Sequence, residues 1–210
     1  MGKETEQKQE IVNQGVHRYS QEEAYVWPEE PVLREQLEWF QDQKLALMVH
    51  WGVYNQLGMV ASWALSDEDA EWSRKTVDWT DDGEVFKRQY RALNRAFDPV
   101  AFQPEEWAKM AKECGFRYLI LTTKHHDGFC LWDTAYTEYK TTAEDCPFHT
   151  HKYADIVRAM FDAFRNEKLG IGVYYSKADW HCPDYWEKEK VFTGKTTRNP
   201  TYDPKENPDA

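Results

Sequence analysis

Three short apolar runs lie along the chain, and each is followed at once by polar side chains. They occupy residues 45–49, 118–123 and 171–176. The runs are too brief for helices and contain β-branched or aromatic residues, so the pattern predicts buried strands. Helical segments separate them, as is typical of parallel βα units with right-handed connections. The sequence therefore predicts an α/β fold.

Apolar side chains recur at helical spacing before and between these runs. Four helices are predicted in this way, at residues 31–40, 86–93, 104–114 and 153–164. Pro104 suits the first turn of the third helix, and Gly115 suits its end. The order helix, strand, polar loop thus repeats along the chain.

The remaining segments lack such periodicity. Residues 1–30 are polar and charged, and we expect them to form an N-terminal extension. Residues 55–82 contain Trp63, Trp72 and Trp79 among acidic and small residues, which predicts a long loop with short helices. We expect residues 31–210 to belong to one domain.

Composition narrows the possible partners. Ten Trp, twelve Tyr and ten Phe offer many flat rings, which suit the C–H faces of sugars or a protein interface. A net charge of −11 argues against nucleic acid, which needs an excess of Lys and Arg. No apolar run approaches a membrane span, and the first ten residues lack the apolar stretch of a signal peptide, so a cytoplasmic location is expected. The four cysteines form no C-x-x-C pair and are expected to be reduced thiols.

Histidines and a tyrosine follow the predicted strands. His50 comes after the first, His125 and His126 after the second, and Tyr174 or Tyr175 ends the third. Parallel topology would bring them to one edge of the sheet, where ligands of α/β folds bind. Neutral donors and acceptors beside Trp suit the hydroxyls of a small sugar. The histidines could instead ligate zinc, but no H-x-H or H-E-x-x-H spacing is present, so no metal or other cofactor is expected.

Five motifs in this order resemble the α-L-fucosidases of glycoside hydrolase family 29. They are His50-Trp51-Gly52, Glu71-Trp72-Ser73, Phe97-Asp98-Pro99 with Trp107-Ala108, Lys124-His125-His126-Asp127-Gly128-Phe129, and Tyr174-Tyr175-Ser176. The resemblance covers roughly residues 31 to 186. It implies a (β/α)8 catalytic domain that releases terminal α-L-fucose from a fucosyl saccharide with retention of configuration.

The resemblance also implies a set of substrate-binding residues. His50, His125 and His126 correspond to histidines that contact fucose hydroxyls in the family. The family tyrosine carries over best to Tyr174, with Tyr175 as the alternative. The substrate-binding residues that the resemblance implies are His50, Trp51, Glu71, Trp72, His125, His126 and Tyr174. Glu71 and Trp72 match a motif that lines the cleft in the family, although Ser73 stands where many members have Tyr.

The catalytic carboxylates are not identified by the resemblance. A retaining glycosidase needs two carboxyl groups about 5 Å apart, and in the family the nucleophile follows the fourth strand. No fourth apolar run appears before Ala210, and Asp127, Asp133 and Asp179 do not match the nucleophile motif. We expect an incomplete (β/α)8 barrel of three βα units, truncated before the fourth strand, with the catalytic residues beyond Ala210. Asp127 is expected to be a loop residue or a partner of the histidines.

Two other functions are compatible with these residues. The chain could be a non-catalytic carbohydrate-binding domain, which would bind fucose without hydrolysing it. It could also be a metal-dependent hydrolase that uses His50, His125 and His126 as ligands. Cooperative thermal unfolding of a monomer would favour the first, because an open three-unit sheet with exposed edges should be poorly stable or aggregate. Activity lost with a chelator and restored by zinc would favour the second.

Overall fold

The structure is a computed structural model that describes residues 26–65 and 71–182, without the side chains of Glu71, Thr76 and Glu84. It divides into two compact units, Met1–Lys44 and Leu45–Ala210. The extension predicted for residues 1–30 therefore lies largely outside the described residues. No helix in the described ranges is long and apolar enough to cross a bilayer.

The described part of the first unit contains one helix, α1 (Pro31–Gln43). Proline occupies its first turn, where a missing N–H costs nothing. The side chain of Glu30 caps the helix by accepting a hydrogen bond from the backbone N–H of Val32 at 3.1 Å. The helix predicted at residues 31–40 is confirmed and extends three residues further.

The second unit is organised around a three-stranded parallel sheet. Its strands are β1 (Ala46–Val49), β2 (Tyr118–Lys124) and β3 (Gly170–Tyr175), in the order β1-β2-β3. The three predicted strands and their parallel direction are confirmed. β2 is central, and its Leu119 and Leu121 are fully buried.

Three α-helices belong to the connections between these strands: α2 (Gly83–Arg91), α3 (Pro104–Glu113) and α4 (Ile156–Asn166). α3 and α4 pack beside each other, and α4 also contacts β2 and β3. The segment predicted to be helical from residue 153 becomes helical only at Ile156, because the Asp155 carboxylate accepts from Arg158 N at 2.9 Å and caps the helix there.

The long loop between β1 and α2 contains short helices, as predicted. They are 3-10 helices at Val53–Leu57, Ala61–Leu65 and Glu71–Thr76. Two more follow α2 and β2, at Ala92–Ala96 and Pro147–Thr150, and the first of these replaces the last turn of the helix predicted at residues 86–93. The loop is packed rather than loose, since its residues Val53, Tyr54 and Ala64 are all fully buried in the core.

Candidate functional site

The carboxyl ends of the three strands bring together His50, His125, His126 and Tyr174, called the histidine cluster below. The ring centroids of His50 and His125 are 5.0 Å apart, and those of His125 and His126 are 4.4 Å apart. The Tyr174 ring lies 5.8 Å from His50 and stacks on His125 at 5.9 Å. The predicted convergence is therefore present, and the role of these residues in binding stays a prediction.

The strand register explains which tyrosine joins the histidine cluster. Thr122 of β2 pairs with Tyr174 of β3, so both side chains lie on the same face of the sheet. The neighbouring Tyr175 points the other way and packs against Trp132 at 6.2 Å, with Lys124 Nζ 4.9 Å from its ring centre. Alternation along the strand thus places Tyr174, not Tyr175, beside the histidines.

Each imidazole is oriented by one hydroxyl group through its Nδ1 atom. His50 Nδ1 lies 2.7 Å from Thr122 Oγ1. His125 Nδ1 is hydrogen-bonded to Ser62 Oγ, and His126 Nδ1 to Ser176 Oγ. Because Nδ1 is engaged in all three rings, Nε2 is the atom with which each ring could meet a ligand hydroxyl.

Burial keeps these imidazoles uncharged near neutral pH. His125 is only 3 % exposed, and burial, with His126 and His50 nearby, lowers its pKa to about 3. Burial and the Lys124 charge lower the pKa of His126 to about 4. Burial also lowers the pKa of His50. Neutral imidazole can donate or accept a hydrogen bond, which suits a hydroxyl group better than a charge does.

Two tryptophans that the sequence did not assign to the site border the histidine cluster. The Trp63 ring lies 5.0 Å from His126 and 6.0 Å from His125. Trp180 lies 4.9 Å from His126 and 6.0 Å from Trp63. Trp63 comes from the long loop after β1, and Trp180 from the loop after β3. The sequence pattern of a loop does not indicate where its side chains point.

The other predicted site residues have different surroundings. In the described part of the chain, the Trp51 ring makes its ring contacts with Phe97, Phe102 and Trp107, at 5.0 to 6.0 Å. Trp72 is 57 % exposed. The side chain of Glu71 is outside what the structure describes. The structure therefore does not bring the rings of Trp51 and Trp72 into the histidine cluster.

The carboxylate of Asp127, the residue directly after His126, is buried. It accepts hydrogen bonds from the Tyr90 hydroxyl at 2.7 Å and from the backbone N–H of Phe129 at 3.1 Å. Burial raises its pKa to about 6, although these hydrogen bonds oppose the shift. Of the two alternatives expected for Asp127, a loop residue or a partner of the histidines, the structure has the first, because the Tyr90 hydroxyl and the Phe129 N–H engage the carboxylate.

A second carboxylate near the site, Asp179, is held by Lys124 at 2.8 Å. Burial opposes its ionisation, but the Lys124 ammonium keeps the pKa of Asp179 below its usual range. Within residues 26–65 and 71–182, no group of three or more His, Cys, Asp or Glu side chains is placed to hold a metal ion.

Comparisons with known proteins give one consistent family. The family model described as "Alpha-L-fucosidase" matches residues 12–208. The plasma α-L-fucosidase of Rattus norvegicus is 30% identical over 152 residues, which is 72% of this chain and 32% of the relative.

Solved structures agree with these relatives. α-L-fucosidase isoenzyme 1 from Paenibacillus thiaminolyticus is 37% identical, with a TM-score of 0.53 over 71% of this chain and 30% of that one. A GH29 α-L-fucosidase from Bacteroides thetaiotaomicron, trapped as a covalent intermediate with 2-fluoro-fucosyl fluoride, is 31% identical, with a TM-score of 0.55 over 78% of this chain and 34% of that one. The chain spans about a third of the length of the relatives it matches.

Proposed function

This chain belongs to the α-L-fucosidase family, glycoside hydrolase family 29, and from that membership we propose that its histidine cluster binds the fucosyl group of a terminal α-L-fucoside. The enzyme activity proposed for the protein is hydrolysis of that group from a saccharide. The observation that carries the proposal is the convergence of three neutral imidazoles and Tyr174 at the ends of three parallel strands.

Chemistry at the histidine cluster fits a small deoxy sugar. Fucose presents several hydroxyl groups, and His50, His125 and His126 each have Nε2 available for one of them. The apolar edge of the sugar, with its methyl group, would pack against flat rings such as Trp63. A site built to pair buried hydroxyls discriminates strongly against sugars whose hydroxyls point elsewhere.

The proposal extends to the fold and the chemistry. We propose that the three strands are the first βα units of a (β/α)8 barrel, whose active site lies at the carboxyl ends of the strands. Retention would require a nucleophile and an acid/base about 5 Å apart. We assign neither role to Asp127 or Asp179, since Tyr90 and Lys124 engage these carboxylates. The trapped covalent intermediate of the Bacteroides relative supports a covalent route for the family.

Binding without hydrolysis is the second candidate. The observation that favours it is the same engagement of Asp127 and Asp179, which leaves no free carboxylate assigned to the histidine cluster among the side chains that the structure describes. Under this candidate the protein would retain fucose affinity and give no turnover.

We expect L-fucose to change the intrinsic fluorescence of the chain in a saturable manner, because Trp63 and Trp180 border the histidine cluster. The His126→Ala variant should bind L-fucose about tenfold more weakly, since one hydroxyl loses its partner. His149→Ala is the matched control, because His149 bonds to the carbonyl of Cys146 away from the cluster. Fluorescence titration of the three proteins measures these affinities.

The choice between L-fucose and D-fucose tests the binding proposal, and turnover with thermal unfolding separates its two candidates. D-fucose, the mirror-image sugar, should produce no saturable change at the same concentrations. A folded chain that fails to bind L-fucose, or that binds both enantiomers equally, would contradict the proposal. Hydrolysis of an aryl α-L-fucoside by the chain would exclude the second candidate and show that a carboxylate pair lies within it. Binding without release of the aryl alcohol, together with cooperative thermal unfolding of a monomer, would favour the second candidate, because an open three-stranded sheet with exposed edges should be poorly stable or aggregate.

A further inference from the structure

An ion pair outside the histidine cluster joins the loops that follow β2 and β3. Lys124, the last residue of β2, has its ammonium 2.8 Å from Oδ2 of Asp179. The lysine side chain is only 4 % exposed, and that of Asp179 is 23 % exposed. We call this pair the loop clamp. A buried ion pair is expensive to desolvate, so its presence calls for a reason other than stability.

Backbone hydrogen bonds tie the same two loops together on either side of the loop clamp. Ser176 N donates to Lys124 O at 3.0 Å, and Trp180 N donates to His126 O at 2.7 Å. The position of the Trp180 backbone is therefore linked directly to that of His126.

The carboxylate of Asp179 uses both oxygens to fix the turn that contains Trp180. While Oδ2 meets Lys124, Oδ1 accepts hydrogen bonds from the backbone N–H groups of His181 at 3.0 Å and Cys182 at 2.9 Å. Gly128 permits this approach, since a Cβ there would lie 2.5 Å from Asp179 Oδ1. The turn that carries Trp180 is thus anchored to the end of β2.

We propose that Lys124 and Asp179 are positioning residues, whose ion pair holds the Trp180 indole against His126 and so sets the direction in which His126 meets a sugar hydroxyl. Trp180 is buried and lies 4.9 Å from His126. Ser176, on the same loop as Trp180, bonds to Nδ1 of His126. Any shift of the loop that follows β3 therefore moves both Ser176 and Trp180, which contact the same imidazole, that of His126. The consequence for the sugar rests on the proposed function, whereas the geometry of the two loops does not.

The loop clamp also acts on His126 through charge. Lys124 lowers the pKa of His126, second only to burial, and Asp179 partly neutralises that lysine. The pKa of His126 consequently reports the state of the ion pair without any sugar. Loss of the Asp179 charge should lower the pKa of His126 further, and loss of the Lys124 charge should raise it.

Three variants test the role of the loop clamp. Asp179→Asn and Lys124→Met each remove one charge. Asp133→Asn is the matched control, because Asp133 pairs with Lys140 at 3.2 Å but is 67 % exposed. We expect L-fucose binding about tenfold weaker in the first two variants, as for a coupled neighbour of a binding residue, and unchanged in the control. NMR titration of the histidine ring protons should show opposite pKa shifts for His126 in Asp179→Asn and Lys124→Met.

A double variant separates positioning from stability. Replacing both residues without leaving a charge, Lys124→Met with Asp179→Asn, should keep the melting temperature near that of the parent, because no charge is left unpaired and the asparagine side-chain oxygen can still accept from the N–H groups of His181 and Cys182. It should still bind L-fucose about tenfold more weakly, since the ion pair between the two loops is gone. Parental affinity in this double variant would overturn the proposal.

The sugar-free readout keeps the two proposals distinguishable. If the parent chain does not bind L-fucose, the proposed function fails, but the loop clamp is still tested by the pKa of His126 and by the NMR shift of the Trp180 indole N–H. Unchanged values of both in Asp179→Asn and in the double variant would overturn the positioning role. Changed values in both, with the Asp133→Asn control unchanged, would support it.

Discussion

Replacing Gly128 with alanine is expected to lower the free energy of unfolding by about 3 kcal/mol, through backbone strain combined with a steric clash. Gly128 lies two residues after His126 and has φ of +81°, in the left-handed region that favours glycine. An added Cβ would lie 2.5 Å from Asp179 Oδ1 and 2.7 Å from His181 Cβ. Asp179 cannot move away cheaply, because Lys124 and two backbone N–H groups hold its carboxylate.

Gly115→Ala provides the matched control for this substitution. Gly115 has φ of +83°, but nothing lies within 4 Å of a Cβ built there. Alanine at this position should therefore cost only the strain of the left-handed region, about 1 kcal/mol. Urea unfolding followed by tryptophan fluorescence measures both differences. Equal losses in the two variants would contradict the close packing of the β2 and β3 loops at Gly128.

Much of the sheet could be predicted from the sequence because its signals are local. The run around Leu119 and Leu121 is apolar and short, so both its strand conformation and its burial follow from pattern alone. The convergence of His50 with His125 needs only one further rule, that parallel strands end at the same edge of a sheet. A closed (β/α)8 barrel, which is proposed from the family resemblance, has eight strands, so the pattern of these three strands does not predict it.

The rest of the site could not be predicted, since it depends on directions set by tertiary packing. Trp51 follows His50 directly, yet its ring turns into an aromatic cluster with Phe102. Trp63 and Ser62 reach the histidines from a long loop whose path no periodicity specifies. A strand register, had it been known, would have identified Thr122 as the partner of His50, because Thr122 shares a sheet face with Tyr174.

The neutral state of the imidazoles links the stability of the fold to its proposed chemistry. Hydroxyl recognition through Nε2 is served best by uncharged rings whose orientation is fixed, and the buried hydroxyl of Ser62 fixes the orientation of His125. Burial disfavours the protonated form of His125 in the folded chain. The unfolded chain, in which this ring is exposed to water, therefore binds a proton there more readily than the folded chain does. The same feature that suits the sugar should therefore make the fold sensitive to acid.

Lowering the pH from about 6.5 to about 5 is expected to reduce the free energy of unfolding, and His125 should account for about 1.1 kcal/mol of that loss per pH unit on average. In the unfolded chain His125 takes up a proton near the ordinary histidine pKa of about 6.5. In the folded chain its pKa lies at about 3. The unfolded state therefore binds more protons throughout this range, and stability is lost as the pH falls. His126 acts in the same direction, with a smaller effect because its ring is partly exposed.

Asp127 acts in the opposite direction over the same range. Burial raises its folded-state pKa to about 6, above the ordinary value for aspartate of about 3.9. The folded chain therefore takes up this proton first, and the contribution of Asp127 increases as the pH falls through about 6 and is lost as the pH rises through it. Asp179 stays ionised in both states above about pH 5, because its folded-state pKa is lowered.

Two variants should change the pH dependence with opposite signs. His125→Asn keeps an amide that can bond to the Ser62 hydroxyl but removes the titrating ring, so the loss of stability between about pH 6.5 and 5 should become shallower by about 1.1 kcal/mol per pH unit. Asp127→Asn removes the group that takes up a proton in the folded chain, so the loss should become steeper. Urea unfolding at several pH values in this range measures each slope. Because the two variants are compared by slope rather than by absolute stability, a general loss of stability cannot mimic the result. Parental slopes in both variants would show that neither buried group titrates as its surroundings imply.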